Sequence, residues 1–139
     1  MEDLRDIAAG IHPAILTQRG LAAAIDGLAA RLPIPVQIDV PEQRLPEQVE
    51  ESVYFFCSEA LTNVVEHAKA TCAWVRMELG DGRCSVEVRD DGIDGAAPRS
   101  ESSGLTGLRD RIGALNGSMG IASPASGGTV LTATVPLSD

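Results

Sequence analysis

One carboxylate in this sequence stands where an apolar side chain belongs. Cys84, Val86 and Val88 share one face of a period-two pattern, and Asp90 is the next residue on that face. A carboxylate aimed at a core is costly unless it meets a strong donor. The pattern leaves two kinds of partner open: a helix cap or cation of the protein itself, or a buried ligand that offers an N–H. Arg89 and Asp91 point the other way and are expected to be solvated. Thr129 leads a second inward set, with Leu131, Ala133 and Val135, where a threonine is often only core filler.

A polar seam also runs beside an apolar helix stripe. At 100° per residue, Val49, Val53, Phe56, Cys57, Ala60 and Val64 line one face. Glu59, Asn63 and His67 recur every four residues at its border. By pattern alone this seam also fits a helix shoulder whose side chains are satisfied within the protein. Glycines follow at two places. The run from Asp90 to Gly95 ends a strand, and Gly104-Leu105-Thr106-Gly107-Leu108 opens a helix. Glycines before a helix let a phosphate approach exposed backbone N–H groups. Neither a GxxxxGK[ST] loop nor a strand–GxGxxG–helix unit is present.

These residues need elements to hold them. The spacing of Leu4, Ile7, Ala8 and Ile11 predicts a short helix over 2–12, stopped by His12-Pro13. A second helix is expected over 17–32, with Leu21, Ile25, Leu28 and Leu32 on one face and Pro33 at its end. Alternation over 34–40, with prolines at the start, reads as an edge strand. The longest helix is expected over 46–69. Pro46 suits its first position, and Glu47, Glu50 and Glu51 suit the positive end of its dipole. Segments 72–79 and 83–90 read as a hairpin across Gly80-Asp81-Gly82. Residues 92–103 form a loop of small and polar residues. Leu105, Leu108, Ile112 and Leu115 mark a helix closed by Asn116-Gly117. Strands over 119–122 and 129–136 finish the chain. The order implies a two-layer α/β sandwich with helices on one face of a mixed sheet.

Composition narrows the function classes. With 139 residues the chain fits one domain of about 100–200 residues. Eleven Lys+Arg against 20 Asp+Glu give a net charge of −9, and aromatics are only 3%. Such a chain has neither the basic footprint nor the stacking platform of a nucleic-acid binder. No apolar run approaches a membrane span, so no membrane contact is expected. Three cysteines without CxxC spacing fit a reducing, cytoplasmic setting rather than a disulfide or zinc framework.

Taken in order, Glu59-x-x-x-Asn63-x-x-x-His67, Asp90-x-Gly92, Gly104-Leu-x-Gly107-Leu and Gly128-Thr129 resemble the N, G1, G2 and final GT boxes of the histidine-kinase-type ATPases. That family has the Bergerat fold, shared with gyrase, mismatch-repair and heat-shock ATPases. "EALTNVVEHA" and "GLTGLRDRI" resemble two-component sensor histidine kinases of the short-lid bacterial subfamily. The resemblance covers nearly the whole chain. It implies ATP and Mg²⁺ as cofactors. Asp90 would accept from the adenine amino group, with Gly92 and Ile93 beside it and Thr129 in support. Asn63 would give an oxygen to Mg²⁺, and Glu59 would polarise the attacking imidazole of a partner domain. His67 would lie towards the phosphates. Gly104, Leu105, Gly107 and Leu108 would bring a helix N-terminus to the triphosphate, with charge added by Arg109. Residues 92–103 would be a mobile lid.

The resemblance further implies that residues 1–14 end a dimerisation helix and linker, and that 15–139 form the ATP-binding catalytic domain. "GIHPAIL" places His12 at a hinge rather than at the phospho-acceptor position. The chain alone is then not expected to phosphorylate itself. Its partners would be the dimerisation and phosphoacceptor domain of the same kinase and, through the full-length protein, a response regulator. The setting would be cytoplasmic, whether or not the parent is anchored in a membrane. Two positions depart from the family pattern. Glu66 stands where lysine is usual, and Asp94 where the box has glycine. Each adds negative charge near a site for a polyanion. The alternatives are an anti-sigma-type serine kinase and a degenerate, non-catalytic docking module.

Overall fold

The computed structural model describes residues 14–65, 70–92, 103–122 and 128–137, without the side chains of 103–106. The elements are α1 (Ala14–Arg19), α2 (Leu21–Ala30), β1 (Val36–Asp39), α3 (Glu47–Asn63), β2 (Ala73–Gly80), β3 (Arg83–Asp90), α4 (Ser103–Ala114), β4 (Ser118–Ala122) and β5 (Thr129–Pro136). The strands form one sheet in the order β1-β2-β3-β5-β4. β1 runs parallel to β2, and the other pairs are antiparallel. Parallel neighbours need a crossover, and α3 supplies it. The α/β sandwich expected from the sequence is the observed fold.

Alternation along the strands places the core. Ala73, Val75 and Met77, then Cys84, Val86, Val88 and Asp90, then Thr129, Leu131, Ala133 and Val135 are all buried on one face. The opposite face carries Arg76, Glu78, Glu87 and Arg89, which pair along their own strands. Helix α3 covers the buried face. Its expected stripe is buried throughout, and Tyr54 and Leu61 are buried as well. The wider burial arises because α3 packs against α2 and α4 as well as against β3 and β5. The hairpin turn is Asp81-Gly82, both with positive φ, the two-residue turn that matches strand twist.

Two expectations need correction. The helix over 17–32 is two helices, broken at Gly20, whose φ of +90° is outside the helical range. The expected apolar face begins at Leu21, after the break, so its periodicity carried no information about residues 17–20. A Cβ at Gly20 would stand 2.9 Å from Arg44 Cδ, so the arginine occupies that space. Pro46 is the residue before the first turn of α3, not its first helical residue. Glu50 stands in the first turn of α3, as expected, and is also buried. It is 2% exposed. Its carboxylate accepts from Arg44 Nε at 3.0 Å and from the Leu45 N–H at 3.0 Å. The same guanidinium donates to the carbonyl of Thr17 at 3.2 Å, tying α1 to the start of α3. The expected helix over 2–12 and most of the loop over 92–103 lie outside the described residues.

Candidate active site

Asp90 ends β3, and the strand register decides what stands beside it. It pairs with Ala73 of β2 on one side and Thr129 of β5 on the other. Ala73, Asp90 and Thr129 therefore form one row on the buried face, at 0%, 6% and 2% exposure. Asp90 Oδ1 accepts the Gly92 N–H at 2.7 Å. Burial pushes the Asp90 carboxyl above its usual range, against the lowering effect of the Gly92 N–H. The charge of Asp91 adds to the rise, and the Thr129 N–H opposes it. No cation pairs with Asp90 among the described residues.

The expectation that Asp91 is merely solvated is corrected. Its side chain is exposed but accepts from the N–H of Thr71 at 2.8 Å, the N–H of Cys72 at 3.1 Å and the Thr71 hydroxyl. Led by the Thr71 hydroxyl, these bonds hold its carboxyl at about 2. Asp91 so fastens the entry of β2 to the exit of β3, next to Asp90. Gly128 packs equally close. Its φ is +83°, and a Cβ there would stand 2.1 Å from the Asp90 carbonyl oxygen. Only glycine fits both the angle and the space.

The helices converge on the same end. Pro46, Gln48 and Val49 at the start of α3 line a hollow of about 330 Å³ with Ala114, Leu115 and Asn116 at the end of α4, and with Pro136 and Leu137 at the end of β5. The guanidinium carbon of Arg111 stands 4.2 Å from the ring centre of Phe55. The two helices are therefore antiparallel. The end of α3 and the start of α4 lie away from that hollow, where β5 begins at Thr129. The chain leaving Asn63 also has to reach Ala73, which pairs with Asp90. Glu59 and Asn63 on α3, Asp90 and Gly92, the first turn of α4, and Thr129 thus share one end of the sandwich.

The expected site residues that are described take distinct places. Glu59 and Asn63 are half-buried, as befits the border of a stripe. Gly92 and Thr129 are buried and Arg109 is exposed. Helix α4 begins at Ser103, so Gly104 and Leu105 lie within its first turn, not before it. Their N–H groups are still among those without an intrahelical acceptor. Gly107 lies in the second turn, exposed, and a Cβ there meets nothing within 4 Å among the described residues. Leu108 is in the core at 3% exposure, where it anchors α4. His67, Ile93, Glu66 and Asp94 lie outside the described residues. Sequence reasoning missed the bracing by Asp91 and the stacking of Arg111 on Phe55. Both depend on long-range partners that no local period reveals.

Comparison with known proteins agrees with this architecture. The oxygen sensor histidine kinase NreB of Staphylococcus carnosus is 27% identical over 148 residues, covering 100% of this chain and 43% of the relative. The sensor histidine kinase NarS of Mycobacterium tuberculosis is 33% identical, covering 97% of this chain and 31% of the relative. The chain thus spans less than half the length of these curated relatives. Among solved structures, the Acinetobacter baumannii histidine kinase AdeS superposes with a TM-score of 0.67 at 13% identity, over 99% of this chain and 77% of the other. The histidine kinase domain of the blue-light activated kinase EL346 of Erythrobacter litoralis gives 0.66 at 24% identity, over 84% and 57%. A family model of the histidine kinase-, DNA gyrase B- and HSP90-like ATPases matches residues 48–139. Its span takes in α3, Asp90, α4 and Thr129, and the chain belongs to that ATPase family.

Proposed function

We propose that this chain binds Mg-ATP at the Asp90 end and passes the γ-phosphoryl group to a histidine on the dimerisation domain of a sensor histidine kinase, for relay to a response regulator. The observation that carries the reading is Asp90 itself. A buried carboxylate, held by backbone N–H groups and faced by no cation among the described residues, suits a ligand's amino group. Adenine presents such a group, and Thr129 stands beside the carboxylate to support it.

The other residues fit the polar part of the ligand. Gly128 and Gly107 carry no side chain at this end of the sandwich, and the first-turn N–H groups of α4 suit phosphate. No group of three or more His, Cys, Asp or Glu that would hold a metal occurs among the described residues. Mg²⁺ would accordingly take an oxygen from Asn63 and most of its ligands from phosphate and water. Bound Mg-ATP supplies the transferable phosphoryl group. Glu59 would orient and polarise the incoming imidazole from one turn before Asn63. His67 and Ile93 join the site on their motif positions alone, and Arg109 adds charge at its rim.

Residues 1–14 are read as the end of a dimerisation helix and its linker, and 15–139 as the ATP-binding domain. No described helix is long and apolar enough to cross a membrane. A cytoplasmic position suits the proposed kinase role. The names of the relatives support this reading. Calorimetric titration with Mg-ATP tests it. The expected result is saturable one-to-one binding that needs the metal, and a chain that binds no nucleotide overturns the proposal.

A further inference from the structure

We propose that Arg111 is a positioning residue. Stacked on Phe55, it fixes how α4 sits against α3 and so holds the first turn of α4 in place for the triphosphate. The inference rests on the Mg-ATP reading above and assigns a role to two residues outside the four sequence boxes.

Helix α4 is poorly equipped to place itself. Its twelve residues, SGLTGLRDRIGA, include Gly104, Gly107 and Gly113, and glycine is a weak helix former. The buried side chains described on it are Leu108 and Ile112. These stand four residues apart on one face, and Leu115, just past the helix end, packs against the core as well. Apolar burial is non-directional, so such contacts do not by themselves fix how the helix is rotated about its line of contact. A directional contact to one side of that line narrows the freedom. Arg111 supplies one, with its guanidinium carbon 4.2 Å from the Phe55 ring centre. The ring is itself held. Tyr54, buried at 3%, meets it edge-on with centroids 6.3 Å apart. Arg111 and Phe55 are both half-buried, where a cation over a ring is more effective than in open water.

The lever arm is short. Four residues on from Phe55 is Glu59, and four residues back from Arg111 is Gly107. Because α3 and α4 are antiparallel, both steps run towards the site, each about 6 Å at 1.5 Å per residue. A roll of α4 at Arg111 therefore moves its first turn relative to Asn63. It leaves the row formed by Asp90 and Thr129 on the sheet untouched.

The prediction is a split between ligands. Adenosine tests the Asp90 end alone, and Mg-ATP tests it together with α4. Arg111→Met keeps the stem and removes the cation, Arg111→Lys keeps a cation, and Phe55→Leu removes the ring. Titration of the whole chain, with folding checked by circular dichroism, is expected to show Mg-ATP weakened about 3–10-fold in Arg111→Met and in Phe55→Leu. Adenosine should stay within about twofold, the double variant should be no worse than either single one, and Arg111→Lys should recover most of the loss. Unchanged Mg-ATP affinity in both single variants overturns the proposal. So does a loss confined to Arg111→Met, which would mean that its charge acts on the phosphates directly. Equal losses for adenosine and Mg-ATP would show a general structural role and overturn it too. A parent chain that binds neither ligand refutes the ATP reading itself, whereas a parent that binds both with indifferent variants refutes this inference alone.

Discussion

Replacing Asp90 by alanine separates a ligand anchor from a structural carboxylate. The side chain is 6% exposed and accepts the Gly92 N–H at 2.7 Å. Burial, with the charge of Asp91, raises its pKa against the lowering effect of the Gly92 and Thr129 N–H groups, so the protein alone leaves the charge incompletely compensated. A donor on the ligand would complete the compensation. A hydrogen bond to a charged group contributes about 1.5–3 kcal/mol, which corresponds to about 10–150-fold in affinity. Asp90→Ala should therefore weaken Mg-ATP by at least about tenfold. Purine riboside triphosphate, which lacks the 6-amino group, gives the second arm. The parent should bind it more weakly than ATP by a similar factor, and Asp90→Ala should not distinguish the two. Calorimetry on the four combinations closes a double-mutant cycle. The reasoning fails if the folded variant binds ATP as the parent does. It also fails if the variant discriminates against the des-amino nucleotide as strongly as the parent.

Three further outcomes follow from the same structure. Gly128→Ala places a Cβ 2.1 Å from the Asp90 carbonyl oxygen at a φ of +83°; it should cost at least about 2 kcal/mol in urea unfolding and displace Asp90. Glu50→Gln removes the charge from a carboxylate that is 2% exposed and bound by Arg44 and the Leu45 N–H; unfolding should show a loss of about 2–4 kcal/mol, with α1 released first in hydrogen exchange. Asp91, held at about 2 in the fold, lies below the ordinary value near 4, so its stabilising contribution is complete above that value and disappears as pH falls towards 2. Midpoints of urea unfolding measured from pH 6 to pH 2 should therefore fall less steeply in Asp91→Ala than in the parent, and parallel curves would contradict the bracing role.

Much of this site was legible because strand alternation is strictly local. Period two alone put Asp90 and Thr129 on the buried face, and the register then made them neighbours. The stripe on α3 was equally readable, and with it the half-buried border that carries Glu59 and Asn63. What escaped were features set by partners far along the chain. Asp91 is braced by Thr71 and Cys72, 20 and 19 residues away. Gly20 separates α1 from α2, and Arg44, 24 residues on, fills the space beside it. Glu50 had the right residue type for a helix dipole, yet its carboxylate turns back to Arg44 across Pro46. Local propensity cannot weigh such contacts, because tertiary packing creates them.

On the proposed reading, nucleotide binds where α3, β3, α4 and β5 meet. Backbone amide chemical shifts, followed while Mg-ATP is added to the isotopically labelled chain, test it most directly. The largest changes should fall on Asn63, Gly92, Gly104, Gly107 and Thr129, and Asp90→Ala should suppress them. Saturable changes centred instead on Trp74, Arg76 and Glu87, which line a hollow of about 450 Å³ on the open face of the sheet, would contradict it.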